Sequence, residues 1–342
     1  MAAQVETPAF RVSATTTTEA ASAYSYLESR LAAPNVSAAP PISFSIPIID
    51  ISPSFSSDLS KRQKVAEAIN AACTSSGFFY ITGHGIPAST CSAALKLAER
   101  FFKELPQEKK QALHMSQSSL HRGWEPAEFT SLYGDAETKE AFNWGYEAAL
   151  DPTGGDGKYT ELDGSTGNGN VWPSEADLPG FYAGVKDYYS SVLQLARHLF
   201  RLFALSLSLS EDHFDRMMTH PGGISRIIYY PPASKPLHAE QTSEEIGLGA
   251  HSDYECFTIL LSSSTPGLEI LSPNGTWISA PMVEDGLVVN VADFLMRWTN
   301  DVYKSTVHRV VNRSTTEERY SLPFFFSINY DEMVDVCESN IL

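Results

Sequence analysis

The sequence predicts a mainly β protein with helices, in which a helical first half packs around an antiparallel jelly-roll or barrel-like core. Three observations support this fold class. The first half contains segments with apolar residues at helical spacing. Beyond residue 223 the chain changes to short apolar runs separated by Pro, Gly and Asn, as in antiparallel sheets. The chain has 342 residues and 43% hydrophobic content, enough for a sizeable core.

The first half begins with an extension and then alternates strands with helices. Residues 1–42 are rich in Ala, Ser, Thr and Pro, so we expect them to be flexible. Order is expected from ISFSIPIIDIS, where Pro47 suits an edge strand. SKRQKVAEAINAACTSSG then predicts a helix ended by Gly77, FFYITGHG a strand, and AALKLAERFFKELPQEKK a second helix.

The middle of the chain combines a loop with a long helix. DPTGGDGKYTELDGSTGNGNVWP, residues 151–173, is rich in Gly, Asp and Thr and predicts a loop. FYAGVKDYYSSVLQLARHLFRLFALSLSL has sustained helical periodicity and predicts a long packing helix. We therefore expect a helical and mixed region, 43–222, that forms one structural unit with a β core, 223–342.

Five short apolar runs predict the strands of the β core. They are ISRIIYY, CFTILLSS, GLEIL, TWISAP and GLVVNV. In LEILSPNGTWI, Asn274-Gly275 separates two of these runs, which predicts a hairpin with a type I′ turn.

Charge and cysteine usage restrict the partners and the compartment. The net charge of −17 argues against nucleic acid or an anionic membrane surface as a partner. The four cysteines, Cys73, Cys91, Cys256 and Cys337, are scattered, which favours free thiols in a reducing compartment. No signal peptide is evident, so we expect a cytoplasmic protein, monomeric or else homodimeric.

A metal site is predicted in GAHSDYECFTILL, residues 249–261. If this stretch is one extended strand, His251 and Asp253 project from the same face. One histidine and one carboxylate are two of the three ligands of the facial triad of non-haem Fe(II) oxygenases. His308, in YKSTVHRVVN, is the candidate for the third.

A second His-x-Asp sequence, His213-Phe214-Asp215, serves as the comparison. We interpret Ser210 as the N-cap of a helix that carries it. On a helix, residues i and i+2 point about 200° apart, so we expect no metal site there.

Candidate anion-binding residues lie in ERYSLPFFFSINY. On a strand, Arg319 and Ser321 share a face, and an arginine can hold a carboxylate through two parallel hydrogen bonds. Tyr230, in IIYYPP, is a further donor. A 2-oxo acid that chelates iron needs a buried cation for its far carboxylate, and Arg319 is the candidate.

These motifs closely resemble a known family. GAHSDY, RWTNDVYKSTVHRVVN and RYSLPFFF, with IPIIDIS, GFFYITGHGIP, HRGW and ETKEAFNWG in the first half, are similar to Fe(II)/2-oxoglutarate-dependent dioxygenases of the isopenicillin N synthase-like superfamily. The resemblance covers roughly residues 46 to 335. It implies a double-stranded β-helix core with iron held by His251, Asp253 and His308. It also implies that Arg319, Ser321 and Tyr230 bind 2-oxoglutarate.

The resemblance further implies an activity. Fe(II), 2-oxoglutarate and O₂ would be required, with ascorbate supportive, to hydroxylate, desaturate or rearrange a small organic molecule of secondary metabolism. Phe325 shares the inward face with Arg319 and Ser321 by alternation, so we expect it to line the cavity. The family nominates further substrate contacts, although plain core packing is favoured over substrate contact for each aromatic: Phe142, Asn143, Trp144 and Phe257.

The sequence differs from the usual family pattern at two points. Ile228 stands where the family often has Asn, and the chain ends at Leu342, so a shorter C-terminal lid is expected unless the sequence was cut.

Two other functions remain as alternatives. One is an oxidase of the same fold that uses no 2-oxoglutarate, with Arg319 and Ser321 holding a substrate carboxylate. The other is a β-barrel binding or sensor protein that has kept a metal pocket.

Overall fold

The computed structural model describes residues 44–127, 137–166, 169–234 and 245–335. The expected flexible extension, residues 1–42, lies outside the described residues, as do residues 336–342 with Cys337. The three described cysteines are free thiols. Within these ranges no helix combines the length and the apolar character that crossing a membrane requires.

The described residues form five α-helices. They are α1 (Leu59–Ser75), α2 (Ala88–Lys103), α3 (Gln107–Ala112), α4 (Phe181–Ser206) and α5 (Asp293–Trp298). Asp58 caps α1 by accepting a hydrogen bond from the backbone N–H of Ser60. Gly77 follows α1 with a φ of +68°, a conformation that favours glycine, so the predicted end of this helix is confirmed.

The second predicted helix is interrupted. The sequence predicts one helix over AALKLAERFFKELPQEKK, but α2 ends at Lys103 and α3 begins at Gln107. Pro106 causes the break, because proline lacks a backbone N–H and disfavours helical geometry in the residue before it. Pro106 instead precedes the first turn of α3.

Twelve strands are formed by the described residues. They are β1 (Ile48–Asp50), β2 (Phe78–Thr82), β3 (Gly123–Glu125), β4 (Glu140–Gly145), β5 (Gly223–Tyr230), β6 (Ile246–His251), β7 (Phe257–Ser262), β8 (Leu268–Leu271), β9 (Trp277–Ser279), β10 (Leu287–Val291), β11 (His308–Val311) and β12 (Arg319–Phe326).

The strands form two open sheets, the architecture of a jelly roll. The larger has eight strands in the order β1-β2-β10-β7-β12-β5-β4-β3, and the smaller has four in the order β6-β11-β8-β9. β1 lies at the end of the larger sheet and pairs parallel to β2, so the predicted edge strand is confirmed. The predicted jelly-roll core surrounded by helices is confirmed as well.

The long helix α4 covers the larger sheet with aromatic side chains. The ring centroids of Phe203 and Phe257 are 5.0 Å apart, and those of Phe200 and Phe326 are 5.7 Å apart. These rings are fully buried and form one hydrophobic core that includes residues of both halves of the chain. This buried aromatic layer supports the larger sheet on the side opposite the cavity.

The hairpin between β8 and β9 has a different turn from the predicted one. A type I′ turn needs a positive φ at both central residues, but Asn274 is not among the described residues with positive φ. The N–H of Gly275 instead donates to the carbonyl of Ser272 at 2.9 Å, with Pro273 and Asn274 at the centre of the turn. Pro273 fixes a negative φ, so only Gly275, with a φ of +81°, is left-handed.

Candidate metal centre and cosubstrate pocket

The stretch GAHSDYECFTILL is not one strand. β6 ends at His251 in the smaller sheet, and β7 begins at Phe257 in the larger sheet. Residues 252–256 cross between the sheets, and Asp253 lies in this crossing. The predicted single strand is therefore wrong, because its two ends pair with different neighbours: β6 with β11, and β7 with β10 and β12.

The crossing nevertheless brings three side chains together. His308, the first residue of β11, lies directly opposite His251 in the register of the smaller sheet. Asp253 Oδ1 lies 3.6 Å from His251 Nε2 and 3.6 Å from His308 Nε2. All three offered ligand atoms lie within 4.8 Å of one another. Two imidazole nitrogens and one carboxylate oxygen form the donor set of a facial triad for Fe(II).

Backbone carbonyls orient both histidines. The Nδ1–H of His251 donates to the carbonyl of Gly249 at 2.8 Å, and the Nδ1–H of His308 donates to that of Thr306 at 3.1 Å. Because a carbonyl only accepts, each Nδ1 must carry the proton. Each Nε2 then presents its lone pair to the cluster, as a metal-binding histidine requires.

Two polar side chains orient the carboxylate. Asp253 Oδ2 accepts hydrogen bonds from Thr258 Oγ1 at 2.5 Å and from Asn290 Nδ2 at 2.7 Å. Oδ1 is therefore left to face the two histidines. Neither Thr258 nor Asn290 was predicted as a site residue. Asn290 was detectable, since it is the one polar residue inside the apolar run GLVVNV.

The local electrostatics favour the protonation state that binds a metal. Burial, together with the neighbouring His308, lowers the pKa of His251. Burial raises the pKa of Asp253, but the nearby His308 and His251 and two hydrogen bonds outweigh it, so the net shift is downward. A neutral His251 imidazole and an ionised Asp253 carboxylate follow, and these are the forms that bind a metal ion.

The second His-x-Asp sequence has a different environment. Its predicted helix N-cap at Ser210 is wrong, because residues 211–214 form turns and a short 3₁₀ helix follows over Asp215–Met218. The carboxylate of Asp215 pairs with Arg201 at 2.6 Å. The negative charge of the Asp215 carboxylate is therefore balanced by Arg201, and no metal ion is needed to balance it.

A buried arginine lies at one end of the cavity beside the cluster. Arg319 and Ser321 share a face of β12 and line the cavity, and Tyr230 lies opposite Arg319 on β5. The guanidinium carbon of Arg319 is 4.9 Å from the ring centroid of Tyr230. Arg319 is only 5% exposed, and its Nη1 is buried with no hydrogen-bond partner. Burial lowers the pKa of Arg319.

A buried cation with an unused donor is suited to bind an anion. Leaving a buried charge without a partner costs several kcal/mol, so native proteins rarely do so. A ligand carboxylate beside Arg319 and Ser321 would use the free Nη1 and neutralise the charge. The residues therefore fit the far carboxylate of 2-oxoglutarate, with its other end directed toward His251, Asp253 and His308.

The cavity has a volume of about 340 Å³ and lies between the two sheets. Phe325 lies on its wall, on the same face of β12 as Arg319, where alternation places it. Ile228, at the position where the family often has Asn, also lines the wall and contributes no hydrogen bond from its side chain. Ser321 and the two histidines complete the wall around the cluster.

Three of the aromatic residues predicted as substrate contacts are core residues. Phe142 lies 4.6 Å from Phe101 between ring centroids, and Phe257 packs on Phe203. Trp144 packs on Trp172, with centroids 5.8 Å apart. These side chains lie in the helix-covered core and not in the cavity wall, which corrects their nomination as substrate contacts and agrees with the favoured interpretation of core packing.

Asn143 lies on the cavity side of the larger sheet but does not line the cavity. It pairs across β4 and β5 with Arg226, which places both side chains on the cavity side of the sheet. Asn143 is 1% exposed and lies behind the wall rather than on it. Neither Nδ2 nor Oδ1 of its amide has a hydrogen-bond partner.

A charged part of the wall was not predicted at all. It is formed by side chains from β3, the approach to β4, β5 and the crossing after β6: Glu125, Glu137, Lys139, Arg226 and Glu255. A signal existed for Arg226, since alternation in ISRIIYY puts it on the same face as Tyr230. The acidic residues and Lys139 lie in segments without a clear period, so only the fold reveals them.

The chain matches known proteins along most of its length. Residues 46–175 match the family described as non-haem dioxygenase in morphine synthesis N-terminal, and residues 221–328 match the 2OG-Fe(II) oxygenase superfamily. A 2-oxoglutarate-Fe(II) type oxidoreductase of Emericella nidulans is 37% identical over 84% of this chain and 80% of its own length. A homoarginine-6-hydroxylase of Glycine max is 32% identical over 86% of this chain and 89% of its own.

A solved structure supports the same assignment. Neurospora crassa T7H in complex with alpha-KG has a TM-score of 0.74 and 27% identity, covering 88% of this chain and 90% of that one. The sequence matches, the shared fold and the two-histidine, one-carboxylate cluster agree with one another. The chain therefore belongs to the 2OG-Fe(II) oxygenase superfamily and is an Fe(II)- and 2-oxoglutarate-dependent dioxygenase.

Proposed function

We propose that His251, Asp253 and His308 hold the iron and that Arg319 and Ser321, beside Tyr230, bind the far carboxylate of 2-oxoglutarate. The observation that carries this proposal is the convergence of the three ligand atoms within 4.8 Å. The unused Nη1 of Arg319 at the end of the same cavity supports the cosubstrate assignment.

The bound iron and cosubstrate define the reaction class. With O₂ they supply the oxidising power to remove hydrogen from a substrate C–H bond, while 2-oxoglutarate is decarboxylated to succinate and CO₂. The chain's own residues orient the ligands and exclude water. The backbone carbonyls of Gly249 and Thr306 hold each imidazole proton on Nδ1, away from the reacting centre.

We propose that the substrate is a small molecule of secondary metabolism. The cavity volume of about 340 Å³ must accommodate 2-oxoglutarate and the substrate together, which favours a small substrate. A structure of the Neurospora crassa relative contains thymine, a molecule of this size class. Phe325 supplies an apolar wall for the substrate. Hydroxylation, desaturation and rearrangement are all compatible with this site.

An aerobic assay tests the proposed function. The protein is incubated with Fe(II), ascorbate, 2-oxoglutarate and pools of candidate small molecules, and succinate is measured. We expect succinate from the parent protein and none from a His251→Ala variant. Equal succinate from both would contradict the ligand assignment. Product formation without succinate would favour the rival oxidase that uses Arg319 for a substrate carboxylate.

The setting of the enzyme is also a proposal. We propose a cytoplasmic monomer that binds neither nucleic acid nor membranes. The free thiols of Cys73, Cys91 and Cys256 support a reducing compartment, and the net charge of −17 supports the exclusion of polyanionic partners. Cell fractionation and light scattering of the purified protein test these points, and a stable dimer would contradict the monomer.

A further inference from the structure

The cavity has a second arginine whose hydrogen-bonding capacity is unused. Arg226 lines the wall from β5, and its side chain is 28% exposed. The nearest carboxylate oxygen, Glu125 Oε2, lies 3.7 Å from Arg226 Nη1, beyond hydrogen-bonding distance. Within the described part of the chain, the guanidinium of Arg226 forms no hydrogen bond.

The neighbouring acidic residues are held by another cation. Lys139 Nζ contacts Glu125 Oε1 at 2.5 Å and Glu137 Oε2 at 3.3 Å, and all three side chains are nearly completely buried. Glu137 also accepts a hydrogen bond from the backbone N–H of Gly249 at 2.9 Å. Glu125 Oε1 and Glu137 are therefore engaged in fixed contacts, and only Glu125 Oε2 approaches Arg226, at 3.7 Å, so the guanidinium keeps hydrogen-bond donors for a ligand in the cavity that it lines.

A second polar group beside Arg226 has unused capacity. Asn143 is the cross-strand partner of Arg226, and both groups of its buried amide have no hydrogen-bond partner. Protein interiors satisfy nearly all buried polar groups, so the unsatisfied amide of Asn143 indicates a polar environment with ordered water or a polar ligand beside Arg226. The donors of Arg226 select a group that accepts hydrogen bonds.

Arg226 and Arg319 lie at separate places in the cavity. Arg226 is four positions along β5 from Tyr230, the partner of Arg319, which corresponds to roughly 13 Å along the strand. The apolar side chain of Ile228 lies on the wall between them. One 2-oxoglutarate molecule that binds Arg319 and points toward the iron ligands would leave the donors of Arg226 unused.

We propose that Arg226 determines substrate specificity by binding a carboxylate of the substrate. This inference rests on the proposed function, in which Arg319 is occupied by 2-oxoglutarate. A guanidinium binds a planar carboxylate through two parallel hydrogen bonds, which fixes orientation as well as position. The substrate is thereby a small organic acid, held by its carboxylate on the β5 wall with its oxidised carbon toward the cluster.

Matched ligand pairs test this proposal without turnover. The protein is loaded with Fe(II) and 2-oxoglutarate in the absence of O₂, and binding is measured by calorimetry. The probes are phenylacetate with phenylacetamide, and hexanoate with hexanamide. We expect the carboxylate of at least one pair to bind about tenfold more tightly than its amide, because hydrogen bonds to charged groups are the stronger ones.

Variants assign the preference to Arg226. In Arg226→Met we expect the preference for carboxylate to disappear, while Arg226→Lys, which keeps the charge but loses the planar fork, retains part of it. The control is Arg297→Met, an exposed arginine on α5, which should behave as the parent does. The affinity for 2-oxoglutarate, measured separately, should stay within about twofold in every variant.

Two results would overturn the assignment of Arg226. One is the absence of any carboxylate preference in the parent protein, including the absence of carboxylate binding. The other is a preference that survives in Arg226→Met. Failure of the parent to bind 2-oxoglutarate in the presence of Fe(II) is a different outcome, because it contradicts the proposed function and not the role of Arg226.

Discussion

Each of the three clustered side chains is oriented by hydrogen bonds to its atom that faces away from the other two. Gly249 and Thr306 accept the Nδ1 protons of the two histidines, while Thr258 and Asn290 donate to the far oxygen of Asp253. A carboxylate with two donors on Oδ2 cannot rotate freely. The metal-facing atoms are therefore preorganised before any ion binds.

We predict that Asn290→Leu weakens iron binding without unfolding the protein. Loss of a hydrogen bond that orients a ligand typically costs 10- to 100-fold in metal affinity, and about that range is expected here. Competition with a chelator measures the affinity, and circular dichroism checks the fold. Asn274→Ala, in the exposed β8–β9 turn, is the control. Unchanged iron affinity in Asn290→Leu would contradict the orienting role.

A second prediction concerns Arg319. Arg319→Met should raise the concentration of 2-oxoglutarate needed for half-saturation by about 100-fold, since a charge-assisted bidentate contact is lost. Iron binding should stay nearly unchanged, because Arg319 is not among the three clustered ligand residues. Calorimetric titrations of iron and of 2-oxoglutarate separate the two effects. An equal loss of both would show that the arginine supports the metal cluster instead.

Single residues were predictable where chemistry alone limits the choice. His251, Asp253, His308, Arg319 and Ser321 all face one cavity in the structure. The aromatic residues were not predictable in this way, because either face of a strand can be apolar. Which face meets the cavity depends on where the smaller sheet lies, and that depends on contacts distant in sequence.

At the scale of elements, the crossing between the sheets could not be predicted. Residues 252–256 are too few to look like a loop in a sequence whose flanks are both strand-like. Most strands were predicted from β-branched and aromatic runs, and the long helix α4 from its periodicity, but β3 and β4 were not predicted. Two local errors in the prediction arise at prolines. Pro106 divides the predicted second helix, and Pro273 changes the type of the predicted turn.

The loop over residues 151–173 is anchored by ion pairs at its described positions. Arg197 on α4 donates two hydrogen bonds to Asp151, the shorter at 2.6 Å, and Arg122 contacts Glu161 at 3.0 Å. Burial raises the pKa of Asp151, but the hydrogen bonds from Arg197 and Thr153 outweigh it and bring the pKa below its usual value. The ionised carboxylate therefore stabilises the folded protein.

We predict a pH-dependent effect for Asp151→Asn. A carboxyl group with a lowered pKa contributes stability above its unfolded pKa and loses it as pH falls through the folded pKa. The variant should thus be about 3 kcal/mol less stable near pH 7. The difference should shrink below the ordinary pKa of 3.8.

Urea unfolding of parent and variant at about pH 7 and about pH 3 measures this effect. Asp187→Asn, an exposed position on α4, provides the control. A stability difference that stays constant between the two pH values would rule out the ion pair as its source.

At the scale of the whole molecule, first-half strands form both ends of the larger sheet and second-half strands lie between them. β2 pairs with β10, and β4 pairs with β5, so the larger sheet joins the region 43–222 to the region 223–342. We propose that the two regions fold as a single cooperative unit, which this shared sheet and the shared hydrophobic core support.

The corresponding prediction is a single thermal unfolding transition that both ligands shift together. Saturation with a ligand that binds only the folded state at about 100 times its Kd adds about 2.7 kcal/mol. Fe(II) with 2-oxoglutarate should therefore raise the Tm of the parent, and it should leave that of His308→Ala unchanged. Calorimetry that resolves two transitions, only one of them shifted by ligand, would contradict a single unit.

The position of β12 sets the order in which the protein can be completed during synthesis. Among the described residues β12 is the last strand in chain order, yet it lies inside the larger sheet between β5 and β7. Until residues 319–326 have emerged from the ribosome, β5 and β7 lack the strand that pairs with both of them. Their edges are then unpaired, and unpaired strand edges can pair incorrectly. Ribosome-bound chains that end before Arg319 should stay sensitive to protease. The larger sheet and the cavity that holds Arg319 and Ser321 are thus completed at nearly the same moment, once residues 319–326 have emerged.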